Sequence, residues 1–320
     1  MAKQSTNIRR LVRDWALALS MMAGASAYFL GRSLPLPEEA KRAVVEGIGY
    51  VQPTLIFLML LLTFCRIRLE DMRLRVWQWW LLAFQAGMGA LLCWLHQVAS
   101  GEEVRLLLQS AMLCFLCPTA TAAVVVTAKL GGNPGSLTAY TILVNLLAAV
   151  LFPTFIPIVN PTGGLGFLMS FWMIVQKVFP LLICPLLLAV ALRRVWPRLT
   201  GFLARQSDLP FNLWIVSLSL AIAVTTRIIV HAEVATTAFL AIAAGSLAAC
   251  VAQFALGRLV GSRYADGISG AQACGQKNTI LAIWVGYTFL NPLTSLAGGF
   301  YSIWHNAYNS WQLYRHSRLS

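Results

Sequence analysis

Residues 268–290 read ISGAQACGQKNTILAIWVGYTFL. The run is long and apolar enough to cross a bilayer, which takes about 20 predominantly apolar residues. Its centre breaks the pattern: Gly275-Gln276-Lys277-Asn278 sets a glycine and three polar residues, one of them cationic, at mid-span. Backbone that leaves the helix at such depth must be buried in protein or face a wet cavity. The stretch therefore predicts a discontinuous helix in a membrane protein.

A second interruption stands 158 residues earlier. Cys117-Pro118-Thr119-Ala120-Thr121 aligns with Gly275-Gln276-Lys277-Asn278-Thr279, and at the same offset Asn133-Pro134 aligns with Asn291-Pro292. Each Asn-Pro opens the connection to the next helix. Pro118 removes a backbone donor inside an apolar run. Two ordinary kinked helices would also give such a pattern, since proline is tolerated in spans. A matched pair of interruptions instead predicts an internal repeat with a broken helix in each half.

The whole chain supports a lipid-facing body. Its 320 residues are 58% hydrophobic and 11% charged, with mean hydropathy +0.71. Soluble domains carry roughly 25% charged residues. Ten candidate spans are predicted: Trp15–Leu30, Gly47–Phe64, Val76–Val98, Leu106–Ala128, Ser136–Val159, Gly166–Leu192, Leu209–Val230, Ala235–Leu259, Ile268–Leu290 and Pro292–Tyr314. The first has no convincing cleavage site and reads as a helix rather than a leader. Two repeats follow, about 15–160 and 166–314. Five helices per half is an odd number, so the halves are expected to insert upside down relative to one another.

The net charge of +13 invites a nucleic-acid reading. The placement of the basic residues opposes it, because nearly all lie between apolar runs. Seventeen fall on the side of the termini, including Lys3, Arg9, Arg10, Arg13, Arg66, Arg68, Arg73, Arg75 and Lys129, with Arg193, Arg194, Arg198 and Arg205 in the central loop and Arg258, Arg263, Arg315 and Arg318 beyond it. At most five, Arg32, Lys41, Arg42, Arg105 and Arg227, fall on the other. This bias predicts both termini in the cytoplasm of a bacterial-type inner (plasma) membrane.

Lys277 is the most informative residue. A lysine at mid-membrane costs roughly 2.5–3.5 kcal/mol on insertion scales, and such residues pair with acids or line wet cavities. The eleven acids (Asp14, Glu38, Glu39, Glu46, Glu70, Asp71, Glu102, Glu103, Asp208, Glu233 and Asp266) all fall in loops or at helix ends. Lys277 then either loses its proton, takes its counter-charge from an anionic substrate, or snorkels to an interface. Half-helices starting near Thr119–Thr121 and near Asn278–Thr279 are expected to aim free N–H groups at the crossing, which favours an anion.

Other polar positions are sparse. Thr138, Thr141 and Asn145 share a face of the fifth helix, and His305, Asn306 and Asn309 nearly so on the tenth. Interhelical hydrogen bonding and cavity lining both account for them, and His305 reads as a packing histidine before a proton relay. Lys177, beside Gln176 and before Pro180, either lines the same cavity or caps a kink. The seven cysteines lie in or beside apolar runs and form no disulfide framework. Cys114-x-x-Cys117-Pro118 has no second cysteine or histidine cluster near it to complete a soft-metal site. No H-E-x-x-H, G-x-S-x-G or Walker A sequence is present, so neither an enzyme nor a nucleotide-driven pump is expected, and no cofactor.

Several motifs together resemble the bile acid–sodium symporter family: Gln52-Pro53-Thr54-Leu55-Ile56-Phe57-Leu58-Met59 with the charged turn at Arg66–Asp71, Gln85 in the third span, Cys117-Pro118 with Thr121 in the fourth, and Gly275, Gln276, Asn278, Leu281 and Ala282 in the ninth. The resemblance implies ten helices in two inverted repeats, a panel domain and a core domain, broken helices crossing in the core, and sodium-coupled import of organic anions. It also implies departures. The family's sodium-ligating Ser-Asn pair falls on Ala123-Val124, its ninth-helix acid on Ala273, and a nearby glutamine on Lys277, while Thr141 and Gln85 are retained. Lys277 is expected to stand where a sodium ion sits in the resembled proteins. Transport is then independent of sodium, with protons as the candidate coupling ion.

The residues expected to bind substrate or ion are Lys277, Gln276, Asn278, Thr279, Thr119, Thr121, Thr141, Gln85, Asn145, His305 and Asn306. The expected partners are a small organic anion and the lipid bilayer, not nucleic acid. The leading expectation is a secondary carrier. An uncoupled anion channel or facilitator is the alternative, and a membrane receptor or scaffold leaves the intramembrane lysine without a use.

Overall fold

The computed structural model describes residues 16–35, 37–67, 72–161, 166–206, 208–231 and 236–319. Lys3, Arg9, Arg10, Arg13, Arg68, Asp14, Glu70, Asp71 and Glu233, and the expected span ends Trp15 and Ala235, lie outside them. Among the described residues there are thirteen α-helices and no strand: α1 (Ala16–Ser33), α2 (Glu38–Arg66), α3 (Val76–Val98), α4 (Glu102–Leu116), α5 (Ala123–Lys129), α6 (Pro134–Val159), α7 (Phe167–Val195), α8 (Pro197–Arg205), α9 (Leu209–His231), α10 (Thr236–Ser262), α11 (Gly267–Gly275), α12 (Thr279–Phe289) and α13 (Ser295–Leu319). A 3-10 turn, Pro292–Thr294, precedes α13.

Six helices, α2, α3, α6, α7, α9 and α10, are individually long and apolar enough to cross a membrane. The chain is thus a protein of several membrane-compatible spans, fewer than the ten expected, and the shortfall has physical causes. The fourth and ninth expected spans are each two pieces, α4 with α5 and α11 with α12, and no piece reaches about 20 residues. Helix α1 has 18 described residues and ends on Arg32-Ser33. Helix α13 is 25 residues long but carries His305, Asn306, Asn309, Gln312 and Arg315. The central basic loop holds a helix, α8, that the apolar pattern did not announce.

Local chemistry sets the boundaries near the site. Asn133 accepts from the Ser136 amide at 3.1 Å and Pro134 opens α6, so a side-chain cap and a residue that needs no donor start the helix together. Asn291 accepts from the Leu293 amide at 3.0 Å ahead of Pro292, the same device 158 residues on. Helices α10 and α11 pack at a glycine contact, where a Cβ on Gly257 would strike the Gly270 carbonyl and one on Gly270 the Gly257 carbonyl.

Neighbour relations come in pairs. Helix α1 packs on α9 and α2 on α7; α3 packs on α4 and α10 on α11; α3 on α6 and α10 on α13; α4 on α13 and α11 on α6. Large apolar side chains such as Leu58, Val125, Val150, Leu187, Leu240 and Val251 point outward, as a body solvated by acyl chains requires. One end of the bundle gathers the end of α2, the starts of α3, α6 and α11, and the ends of α7, α10 and α13. Arg193 of α7 bonds the Phe64 and Ile67 carbonyls, and Trp77 of α3 donates to Asp266 ahead of α11 at 3.1 Å. Ser136 of α6 gives its hydroxyl to the same carboxylate at 2.7 Å.

Candidate functional site

Between α4 and α5 the chain leaves the helix at 117–122, and between α11 and α12 at 276–278. The two breaks lie against each other. Thr119 and Lys277 form an isolated antiparallel bridge. The Ala120 amide donates to the Gln276 carbonyl at 2.8 Å, and the Asn278 amide donates to the Pro118 carbonyl at 2.8 Å. Pro118 has no donor to lose, so the break takes only its carbonyl. Polar backbone that would be costly in lipid is thus satisfied from the opposite break. Gly275 is required here, because a Cβ would enter the Phe254 ring.

Lys277 is 2% exposed. Its ammonium donates to Gln85 Oε1 at 2.9 Å and to the Phe115 carbonyl at 3.2 Å. Gln85 is oriented by its own Nε2, which donates to the Leu116 carbonyl at 2.9 Å. Both carbonyls belong to the last turn of α4, where backbone partial charge is negative. Charge-assisted hydrogen bonds contribute about 1.5–3 kcal/mol each. Two of them offset part of the cost of burying the ammonium away from water. The lysine does not snorkel. The ionisable groups close enough to interact with it are the thiols of Cys114, Cys117 and Cys274, with no carboxylate among the described residues. An ammonium has three donors, and one has no partner among the described residues.

The threonine that pairs with Lys277 makes the complementary bond. Thr119 Oγ1 donates to the Ala273 carbonyl at 2.5 Å, in the last turn of α11. A second network braces the opposite side of the crossing. Tyr301 of α13 gives its hydroxyl to the Gly275 carbonyl at 2.8 Å, and Gln253 of α10 donates to the Tyr301 oxygen at 3.1 Å and to the Cys114 carbonyl at 3.3 Å.

Several expected positions do other work. The first half-helix starts at Ala123, not near Thr119–Thr121, because those residues are used by the bridge and the turn after it; Thr121 is half-buried in that turn. Asn278 caps α12, accepting from the Leu281 amide at 3.2 Å, and Thr279 is its buried first residue. Gln276 is buried, with its side-chain oxygen unpartnered. On the polar faces of the fifth and tenth spans, Thr141 donates to Leu137, Asn145 to Thr141 and Asn306 to Ser302, all to carbonyls one turn back on their own helices, while Asn309 bonds between helices by accepting from Gln272 of α11. His305 is buried, its ring edge-on to Tyr301 with centroids 5.7 Å apart. Lys177 lies on an exposed face of α7 with its ammonium 5.7 Å from the centre of the Phe289 ring, away from Lys277.

Ala273 and Ala123, where the resemblance places oxygen ligands, are both fully buried in an apolar cluster with Trp77, Leu81, Leu137, Tyr140 and Val144. The Trp77 and Tyr140 rings stand 5.7 Å apart there. Gln253, Tyr301 and Gln272 were not expected at the site, whereas Asn309 was expected on the polar face of the tenth span. Gln272 donates to Asn309 Oδ1 and Gln312 Oε1, both at 2.9 Å, and so ties α11 to α13. A lone amide inside the apolar α10 and α11 runs was the available signal.

Comparison with models of known protein families and with curated protein sequences found no match.

Proposed function

We propose that this chain is a secondary transporter of a small organic anion, built as ten spans in two inverted five-helix repeats with both termini in the cytoplasm of a bacterial-type inner membrane. The observation that carries it is Lys277: a buried ammonium, held by neutral oxygens alone, at the point where two interrupted helices pair. A membrane protein without a transport pathway has no use for such a charge, and intramembrane cations mark substrate or ion paths.

The inverted repeat is supported by two relations at the 158-residue offset and by one of helix order. Thr119 and Lys277 pair with each other, their backbone bonds exchange, and the α1–α9 packing answers the α2–α7 packing. The orientation is supported by the end that gathers Arg66, Arg73, Arg193 and Arg263. We place the chain as a divergent relative of the bile acid–sodium symporters on the order of its motifs.

In this reading Lys277 is a resident cation. Gln85 and the α4 terminus cradle it as oxygen ligands cradle a metal ion, and its third N–H is left for a carboxylate or sulfonate. The first free amides of α12, beside Thr279, add positive potential. Sodium has no place: a hard cation needs several oxygens, and the Ala273–Ala123 position offers aromatic and aliphatic carbon instead. A proton carried by Lys277 is the coupling ion that remains.

Purified protein in proteoliposomes, loaded with a panel of carboxylates and sulfonates and assayed for exchange of labelled substrate, tests this. Saturable exchange that is equal in sodium and potassium supports the carrier. Graded single-channel currents without exchange would replace it with a channel, and a strict sodium requirement would remove the role given to Lys277.

A further inference from the structure

We propose that α8 is a binding site for the phosphate of an anionic phospholipid headgroup. This does not rest on the transport reading. Arg198, Phe202 and Arg205 stand at i, i+4 and i+7 on this nine-residue helix, and all three are exposed. That spacing puts them on one stripe. Thr200 is buried on the opposite side, with Leu199 and Leu203 half-buried beside it.

The stripe is aromatic as well as basic. Phe202 is 60% exposed, and Trp196, just ahead of the helix, is 58% exposed. Arg194, one turn before, is exposed too. Residues 193–206 contain four arginines and no acid. A face solvated only by cytosol has no reason to present two large aromatic side chains. Arginine with tryptophan and phenylalanine is the signature of a helix lying in the headgroup layer, with rings below the phosphates and guanidinium groups on them. Seven residues of helix rise about 10 Å, so Arg198 and Arg205 reach one phosphate from two sides or hold two neighbouring ones.

The helix is fastened, so the stripe is positioned before lipid arrives. Arg66, at the end of α2, bonds the Gln206 carbonyl just past α8. Arg193, just before it, bonds the Phe64 and Ile67 carbonyls at the end of α2. Two clasps made by arginine on backbone carbonyls leave Arg194, Arg198 and Arg205 for an external anion.

The test is native mass spectrometry and thermal melting of the detergent-purified chain with phosphatidylglycerol, phosphatidylcholine or inorganic phosphate. Phosphatidylglycerol is expected to stay bound and raise the melting temperature, and the other two are not. Arg198→Gln with Arg205→Gln is expected to weaken phosphatidylglycerol binding roughly 30-fold, while the melting temperature without lipid stays as in wild type. Arg198→Lys with Arg205→Lys keeps most of the binding, because lysine still meets a phosphate as a point charge. Should the glutamine pair fail to fold, Phe202→Ala with both arginines kept is expected to lose phosphatidylglycerol retention on its own. Equal binding of the two lipids, undiminished binding in the glutamine pair, or equal stabilisation by inorganic phosphate would each overturn the proposal.

Discussion

Thr119 and Lys277 reach across their bridge in opposite directions: Thr119 donates to the Ala273 carbonyl and Lys277 to the Phe115 carbonyl. The same 158 residues separate Thr119 from Lys277 and Phe115 from Ala273. Each break thus donates a side-chain hydrogen bond to the terminal turn of the other's leading helix. One position of the pair carries a small hydroxyl, and the other an ammonium. The asymmetry in chemistry within a symmetric geometry is what makes Lys277 the distinctive group of the crossing.

Replacing Lys277 separates the roles of charge and bulk. Lys277→Met keeps most of the side-chain volume but leaves Gln85 Oε1 and the Phe115 carbonyl without their donor. Substrate exchange in proteoliposomes is expected to be abolished, while the variant still purifies as a folded protein. Lys277→Gln introduces a neutral amide in place of the ammonium, and with no carboxylate at Ala273 it is not expected to gain sodium dependence. Normal exchange by Lys277→Met would end the resident-cation account.

Gln85 faces the opposite test. Gln85→Leu removes the acceptor of a buried ammonium and the donor to Leu116. A buried polar group left unpaired costs about 1–3 kcal/mol, more when it is charged. A fall in melting temperature larger than that of Gln97→Leu, whose amide bonds Ile158 at an exposed position, is expected in matched detergent.

Tyr301→Phe should loosen the second break without touching the lysine. It removes the bond to the Gly275 carbonyl and the acceptor of Gln253. The expected cost is about 1–2 kcal/mol, read as earlier thermal unfolding and as faster amide exchange at Gln276 and Asn278. Unchanged exchange at both would mean the network is incidental.

Gly275→Val is expected to be more damaging than Gly245→Val in α10, where an added Cβ meets open space. The new carbon at 275 enters the Phe254 ring. Overpacking of this sort costs typically 1–3 kcal/mol. Combining it with Phe254→Leu should recover part of the loss, and two strictly additive penalties would show that the ring is not what the glycine accommodates.

Backbone amides offer a check that needs no substitution. Ala120 and Asn278 lie outside helices, where exchange is ordinarily fast, but both donate across the crossing. Hydrogen exchange is expected to find them as protected as the amides of α6.

The breaks themselves were legible in the sequence because they violate a local rule. A proline without a donor, and a glycine followed by three polar residues, cannot be overlooked in an apolar run. Gln85 was singled out in the sequence, but the carbonyl acceptor of Lys277 was not legible, because every residue carries a carbonyl and only tertiary placement aims that of Phe115 at the ammonium. Asp266 read as a loop acid, yet it collects Trp77 and Ser136 from α3 and α6. Thr141, Asn145 and Asn306 had the spacing of a lining face but donate to carbonyls of their own helices, with Asn145 Oδ1 left unpartnered, an outcome that periodicity does not distinguish.

The mutual pairing of the breaks has a consequence for biosynthesis. While the first half is being made, the Ala120 amide and the Pro118 carbonyl have nothing to bind, since their partners emerge from the ribosome some 150 residues later. Membrane insertion of α4 and α5 is then provisional, and the segment must be sheltered by the insertion machinery or by water until α11 and α12 arrive. A truncated chain ending before α11 would be a substrate for membrane proteases rather than a stable half of the fold.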